Sequence, residues 1–220
     1  MTNFKIINPK DLKNYKQYLW FSTFSNPTYS FNVKLDVTNL VKYTKETKTS
    51  YFINMLYIVT KSLNSIDEFK LRIVNKEIRL YENINPSFIV RTISDIFENV
   101  VFEYVDNYKE FYSIAHNIIE EVKTHTQVKE SFNDSNLFNE YYITCAPWIS
   151  LEGMTHPVPD NMHDSASCPR ILWDKYRSEF DKIVMLLNIT VNHAFVDGKA
   201  LSDSFNLIQE NINNCKEFLK

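Results

Sequence analysis

Residues 188–205, NITVNHAFVDGKALSDSF, contain a histidine and an aspartate four positions apart, followed at once by one of the two glycines of the chain. A neutral imidazole titrates at about 6.5 and can accept a proton close to physiological pH. An aspartate on the same turn can hydrogen-bond the ring, or it can cap the helix that follows. The spacing leaves two interpretations of His193 and Asp197 open: a general base with its orienting carboxylate, and a structural strand end with a helix cap.

The elements on either side of this turn would hold the histidine in place. Residues 183–190 are almost continuously apolar, which is typical of a strand covered on both faces. After the turn, apolar residues recur with the spacing of one helix face, at Leu201, Phe205, Ile208 and Ile212. We therefore expect His193 at the end of a rigid strand. Gly198 then falls in a strand-to-helix turn, where glycine can adopt a positive φ or let a ligand approach closely.

The rest of the chain alternates strand-like and helix-like segments. Residues 29–37 alternate apolar and polar side chains and predict a strand, and residues 38–48 look helical. Residues 50–69 are apolar around most of a helical circumference, which indicates a central helix buried on several sides. Further strands are predicted in LRIVNKEIRLYE, SFIVRTI, YYITCAPW and KIVMLLNITVNH, and an amphipathic segment from Tyr108 to about Lys129.

This order of elements predicts the fold class. Strands and helices alternate irregularly, which indicates an α/β protein, a two-layer α/β sandwich with a mixed β-sheet. The chain contains no internal repeat, low-complexity tract or Gly/Ser linker. We therefore predict one domain, residues 1–220.

Composition argues against several function classes. The formal net charge of -3 provides no basic surplus to neutralise a phosphate backbone, so no nucleic-acid partner is expected. The sequence has no run of about 18 apolar residues, so we expect no membrane segment and a soluble, cytoplasmic protein.

Cysteine and histidine spacing gives no metal site. The three cysteines, Cys145, Cys168 and Cys215, are odd in number and lack CxxC spacing, which argues against a disulfide framework and a thiolate zinc site. His156, His163 and Cys168 share one segment, but their irregular spacing is not that of a metal site. No metal is therefore expected.

The segment VNHAFVDG resembles the HxxxDG signature of the coenzyme A-dependent acyltransferases, specifically the chloramphenicol acetyltransferase family. The resemblance is co-linear over almost the whole chain. It includes YSFNVKLDVT, FKLRIVNKEIRLYENINPSFIV, ITCAPWIS with its Pro-Trp pair, and CPRILWDKY, which stands before the strand of His193.

The resemblance implies a homotrimer with active sites at the subunit interfaces, in which acetyl-CoA and an acceptor alcohol enter from opposite ends of a tunnel. It implies that His193 is the general base and that no covalent enzyme intermediate forms. A family serine that donates to the oxyanion corresponds here to Thr144, which keeps the hydroxyl. Cys145, the neighbour of Thr144, is expected to face the core on the other side of the strand.

The resemblance also implies further residues and shows departures from the family pattern. Tyr29 and Phe31 are expected to form an apolar wall for an aromatic acceptor, and Tyr176 to line the site. Leu172 takes the place of a family threonine that helps position a water. Asn192 replaces a histidine that is not the base.

The family arginine that pairs with the aspartate has no counterpart in DLKNYKQY. We expect a lysine to compensate Asp197, Lys13 before Lys16, with the backbone amides of its own turn as the alternative.

The resemblance implies an acetyl-CoA-dependent O-acetyltransferase acting on chloramphenicol or a similar small alcohol, and thus antibiotic resistance. The alternative is a catalytically impaired member of the family that survives as a trimer binding small molecules or CoA.

Overall fold

The structure is a computed structural model that describes residues 3–127, 138–158 and 164–220. The strands of these ranges are β1 Phe4–Ile7, β2 Thr28–Asp36, β3 Leu71–Val74, β4 Glu77–Tyr81, β5 Asn85–Arg91, β6 Phe97–Val101, β7 Glu140–Ala146, β8 Arg170–Asp174, β9 Arg177–Glu179 and β10 Lys182–Asn192. The α-helices are α1 Tyr15–Phe21, α2 Thr38–Thr47, α3 Tyr51–Asn64, α4 Tyr108–Lys123, α5 Gly198–Asn213 and α6 Cys215–Phe218.

The main sheet is mixed, as predicted. Its strand order is β2-β10-β8-β7-β5-β6, and β9 pairs with the beginning of β10. The pairs β8–β7 and β7–β5 are parallel, whereas β2, β8 and β9 run antiparallel to β10 and β6 runs antiparallel to β5. The predicted two-layer α/β architecture is confirmed, because α2, α3, α4 and α5 share one buried cluster with the inner side chains of this sheet.

The predicted central helix is confirmed as α3. Its side chains from Ile53 to Val59 are all buried, so every face of the helix contacts protein. Asn54, one of the polar residues that this burial includes, is satisfied because its amide donates to the hydroxyls of Thr44 (3.1 Å) and Thr49 (2.8 Å).

Two details differ from the sequence prediction. The hairpin β3–β4 forms a separate three-stranded sheet with β1 rather than part of the main sheet. Its turn residues Asn75 and Lys76 both have positive φ, 52° and 69°. The amphipathic helix α4 ends at Lys123, earlier than the predicted Lys129, which lies outside the described residues.

The outer face of the main sheet points away from the helices. Alternate residues of each strand face this side, so Thr144 of β7, Leu172 of β8, Asn188 of β10 and Asn32 of β2 lie in one register across four strands. We call these four residues the threonine row. No helix in the described ranges has both the length and the apolar character needed to cross a lipid bilayer.

Candidate active site

His193 follows the last residue of β10, where the strand ends in a closed turn. Its backbone N–H donates to the carbonyl of Pro27 (2.9 Å), which extends the pairing with the β2 side of the sheet. The side chain of the buried Asn192 accepts from the N–H of Ala194 (2.8 Å). The carbonyl of Asn192 also accepts from the N–H groups of Phe195 and Val196. Asn192 therefore shapes the turn that presents the imidazole.

Two aromatic rings enclose the imidazole of His193. Phe21 at the end of α1 stacks on one face with ring centroids 4.0 Å apart, and Tyr29 of β2 stacks on the other at 4.2 Å. The stacking therefore fixes the plane of the ring. The Nδ1 atom is buried and has no hydrogen-bond partner in the described part of the chain. Gln17 of α1 donates to the carbonyl of His193, which ties α1 to the turn.

Phe21 and Gln17 were missed by the sequence analysis. Both lie in YKQYLWF, where the aromatic density was the available signal. Tyr29 was expected to form part of an apolar wall for the acceptor. It lies next to His193, and its ring stacks on one face of the imidazole. The Tyr29 hydroxyl donates to the carbonyl of Val196 (3.2 Å). Burial, and then the nearby Asp197 carboxylate, raise the pKa of Tyr29 to about 12.

Asp197 is the N-cap of α5. One carboxylate oxygen accepts from the N–H of Ala200 (2.8 Å) and the other accepts from the side-chain amide of Asn14 (2.9 Å). The Ala200 amide, followed by the Asn14 amide among the favourable contacts, holds the pKa of Asp197 below its usual value despite partial burial. Within the described residues, its hydrogen bonds go to Ala200 and Asn14 and not to the imidazole, so the carboxylate ties the start of α5 to the segment before α1.

The predicted ion pair between Asp197 and Lys13 does not form, so this prediction is wrong. The Lys13 ammonium is exposed and lies 3.7 Å from Glu68, and it adds only a minor long-range attraction to Asp197. The compensating groups are the backbone cap that we gave as the alternative and the neutral amide of Asn14. Uncharged donors are sufficient because the carboxylate is only partly buried and lies at a helix N-terminus.

Gly198 does not have a positive φ, one of the two roles considered for it. It is the first residue of α5 and neither glycine of the chain has a positive φ, because the first helical position already takes helical angles. A Cβ atom at Gly198 would lie 4.0 Å from the ring of Phe31, an ordinary contact. Within one chain, neither backbone conformation nor packing requires glycine here.

Thr144 and His193 are far apart in one chain. Thr144 is half-buried in the threonine row, whereas His193 lies five residues beyond Asn188, the member of that row on β10. With about 3.3 Å per residue along a strand and about 4.8 Å between strands, their Cα atoms are roughly 19 Å apart. The described chain therefore does not bring the predicted base and the predicted oxyanion donor together.

Of the other predicted residues, one lies near the imidazole turn, one lies in the threonine row and one lies elsewhere. Phe31 lies beside Tyr29 at 5.6 Å between ring centroids, under Gly198 and close to His193. Leu172 belongs to the threonine row and is only 3 % exposed, so it is covered within the single chain. Tyr176, 39 % exposed, packs against Tyr51 at 5.0 Å beyond the end of β8.

Cys145 faces the core side of β7, as predicted. It packs against the main buried cluster, and burial raises the pKa of its thiol to about 12. A thiol with this pKa is not a nucleophile at neutral pH.

No group of three or more His, Cys, Asp or Glu side chains within residues 3–127, 138–158 and 164–220 is arranged to hold a metal ion. Of the residues considered for a metal, His163 lies outside the described residues. His156 is close to the Arg170 guanidinium, whose positive charge disfavours a bound cation.

A cavity of about 640 Å³ opens beside the imidazole turn. Much of its wall is apolar and comes from the end of α1 and the loop before β2, and polar side chains also line it. Its lining includes Tyr18, Phe21, Phe24, Pro27, Phe138, Ala194, Asn75, Lys76, Asp164 and Asn192. This volume is in the range that accommodates a small organic molecule.

The whole chain is similar to known acetyltransferases. A family model described as "Chloramphenicol acetyltransferase" matches residues 2–209. The chain is 25 % identical over 191 residues to a chloramphenicol acetyltransferase of Escherichia coli, covering 86 % of this chain and 85 % of the relative. It is 24 % identical over 220 residues to the one of Clostridium perfringens, covering 95 % and 96 %.

Solved structures show the same fold. A chloramphenicol acetyltransferase structure superimposes with a TM-score of 0.87 at 21 % identity and covers both chains completely. The dihydrolipoamide acetyltransferase of Azotobacter vinelandii gives 0.65 at 13 % identity, covering 93 % of this chain and 88 % of the other. Because the family model spans nearly the whole chain, this protein belongs to the chloramphenicol acetyltransferase family of acyltransferases.

Proposed function

We propose that this protein transfers an acetyl group from acetyl-CoA to a hydroxyl of chloramphenicol or of a similar small alcohol. The observation that carries the proposal is the imidazole of His193, held between Phe21 and Tyr29 at a strand end within a family-wide match. An imidazole whose ring plane is held by stacking on both faces is suited to positioned proton transfer. The cavity beside the imidazole turn, which Phe21 also lines, is largely apolar and favours an aromatic acceptor.

In the proposed reaction, His193 accepts the proton of the acceptor hydroxyl while the oxygen attacks the thioester carbonyl. The carbonyl π electrons move onto its oxygen, and the Thr144 hydroxyl donates a hydrogen bond to this oxyanion. When the carbonyl re-forms, the carbon–sulfur bond breaks and the imidazolium returns its proton to the leaving thiolate. The products are an ester and free CoA, and His193 is neutral again.

This chemistry requires a second subunit. Thr144 and His193 are roughly 19 Å apart in one chain, by strand geometry, so the Thr144 hydroxyl that meets His193 must come from another copy. An exposed apolar surface lies next to Thr144, formed by Ile89, Ile93, Phe97, Val101, Trp148 and Ile149. We propose that this surface packs in a cyclic homotrimer with sites between subunits, because a contact of unlike surfaces closes in a ring.

The alternative function, binding without catalysis, rested on the missing arginine and on Leu172. Asn14 and the helix cap now account for Asp197, so the first of these reasons no longer favours it. A soluble cytoplasmic protein with access to acetyl-CoA remains our proposal, as does a role in chloramphenicol resistance.

The proposal is tested by following free thiol as the protein is incubated with acetyl-CoA and a panel of alcohols. We expect acceptor-dependent thiol release with chloramphenicol, and none when its hydroxyl groups are already acetylated. His193→Ala should lose about 10²–10⁴-fold in turnover, the contribution of a positioned base, with CoA binding unchanged. A protein that binds chloramphenicol but releases no thiol with any alcohol would support the binding function instead.

A further inference from the structure

Residues 149–156 cross the outer face of the main sheet without regular secondary structure, and we call them the strap. The strap leaves β7 after the Pro147–Trp148 turn, three residues beyond the end of the strand that carries Thr144. It is joined first to the end of β8. The N–H of Lys175 donates to the carbonyl of Ile149 (3.1 Å), and the N–H of Leu151 donates to the Asp174 carboxylate (2.7 Å).

The strap is then held by two asparagines of the threonine row. The N–H of Met154 donates to the side-chain oxygen of Asn32 (3.1 Å), and the side-chain amide of Asn188 donates to the carbonyl of Met154 (3.1 Å). The same Asn188 amide donates to Asn32 (2.9 Å). Both backbone groups of one strap residue are therefore bound by one pair of amides.

Both polar atoms of the Asn188 side chain make hydrogen bonds within the protein. It is completely buried, its amide nitrogen makes the two bonds above, and its oxygen accepts from the hydroxyl of Thr190 (3.2 Å). A buried amide that is left without partners is costly, so the strap and Asn188 stabilise each other. Beneath the strap, Leu172 and Leu186 are buried although neither belongs to the main core cluster. Their burial indicates that the strap covers this face.

The threonine row connects the strap to the proposed chemistry. We call the pair of Asn188 and Asn32 the amide clamp. Asn188 is in register with Leu172, and Leu172 with Thr144, so Asn188 lies two strands from the proposed oxyanion donor on the same face. A molecule that reacts at Thr144 must fit against whatever covers that face. The position of the strap therefore limits the space on one side of the reacting atoms.

We infer that Asn188, supported by Asn32, is a positioning residue that holds the strap beside Thr144 and thereby sets which acceptor alcohols fit. The inference rests on the proposed function for the role of Thr144. The hydrogen bonds that hold the strap are independent of that function. Asn188 touches no reacting group. It acts on the strap through the backbone of Met154 and through a hydrogen bond with the side chain of His156.

The test replaces Asn188 by leucine, which has a similar volume and no hydrogen-bonding groups. Hydrogen exchange of strap amides 151–156 should accelerate, and chloramphenicol should bind about tenfold more weakly by calorimetry. The acceptor KM should rise while kcat at saturating acceptor and the KM for acetyl-CoA stay within about threefold. Asn32→Ala, at an exposed position that tolerates substitution, should change the same quantities in the same direction if Asn188→Leu fails to fold.

The matched control is Asn64→Leu. Asn64 is also a buried amide that holds a loop, since it bonds the N–H (2.9 Å) and carbonyl (3.0 Å) of Ile84, away from the strap. The Asn64→Leu variant should have a lower free energy of unfolding, with no change in the hydrogen exchange of the strap amides or in the affinity for chloramphenicol. Unchanged strap exchange in the Asn188 and Asn32 variants, or faster exchange with unaltered acceptor binding, would overturn the inference. Exchange and binding need no turnover, so a failure of the acetyl transfer proposal is detected separately by thiol release.

Discussion

At the scale of single residues, the site depends on neutral groups where a charged pair was expected. Asp197 is held by the Ala200 N–H at 2.8 Å and by the Asn14 amide at 2.9 Å, and Lys13 is directed to Glu68. A helix N-terminus supplies donors and a favourable dipole to a carboxylate, so a full positive charge is not required. The loop that carries His193 can therefore be ordered without an arginine.

This arrangement predicts different effects of neighbouring substitutions. Asn14→Ala should lower the free energy of unfolding by about 1–2 kcal/mol because a hydrogen bond to a charged group is lost. Lys13→Ala should change it by less than about 0.5 kcal/mol, as expected for an exposed position. Urea unfolding of both variants provides the measurement.

The double variant Asn14→Ala with Asp197→Asn adds a second check. Because both single changes break the same contact, the combined loss should be smaller than the sum of the two. Strict additivity, or a larger loss for Lys13→Ala than for Asn14→Ala, would contradict this account of Asp197.

Thr144 gives a second prediction at the residue scale. Thr144→Ser keeps the hydroxyl and should be nearly neutral, whereas Thr144→Ala should lower turnover by roughly 10²-fold, the effect of losing one oxyanion donor. Steady-state kinetics with acetyl-CoA and chloramphenicol measures both. Equal turnover in all three proteins would leave Thr144 as an ordinary strand residue.

At the scale of elements, the strap contains a histidine, His156, that should make the folding stability of the protein depend on pH. Burial, and secondarily the Arg170 guanidinium, lower the pKa of His156 from 6.5 to about 4. Its Nε2 atom is buried and has no hydrogen-bond partner in the described part of the chain. The folded protein therefore keeps this imidazole neutral where the unfolded chain would protonate it.

The sign of the effect follows from proton binding. Between pH about 6.5 and about 4 the unfolded state binds more protons at this position, so folding stability falls as the pH falls. The stability of wild type relative to His156→Gln should therefore decrease from pH 7 to pH 4.5, measured by urea unfolding at a series of pH values. His116→Gln, which removes an exposed imidazole of α4, serves as the control. A wild-type minus His156→Gln difference that stays constant with pH would contradict the prediction.

At the scale of the whole molecule, the proposed sites lie between subunits, and this can be tested by mixing defective chains. In co-expressed His193→Ala and Thr144→Ala proteins, about a quarter of the sites of a randomly assembled cyclic trimer combine an intact histidine with an intact neighbouring threonine. Activity should therefore exceed that of either variant alone and approach this fraction of wild type. Refolded mixtures provide the assay, and light scattering should report three chains.

Separately assembled trimers of the two variants, mixed without subunit exchange, are the control and should show no gain. If co-assembled trimers also gain nothing, each site is completed within one chain. An active monomer would reject the proposed assembly directly.

The strand, turn and helix around His193 were predictable from sequence. Hydrophobic periodicity in residues 183–212 reports which faces are buried, and this signal is local. The central helix and the mixed α/β sandwich followed from the same kind of pattern. The HxxxDG segment itself was also visible, because residue type and spacing are properties of the sequence, and the catalytic role of His193 stays a prediction.

The tertiary structure alone decided what surrounds these residues. The contact between Asn14 and Asp197 spans 183 positions, and the stacking of Phe21 on His193 depends on how α1 meets the end of β10. Strand register placed Thr144 away from His193 in the same chain and aligned it with Asn188. Such contacts result from packing between distant segments, because the pattern within one segment indicates which of its faces is buried but not which distant segment it meets.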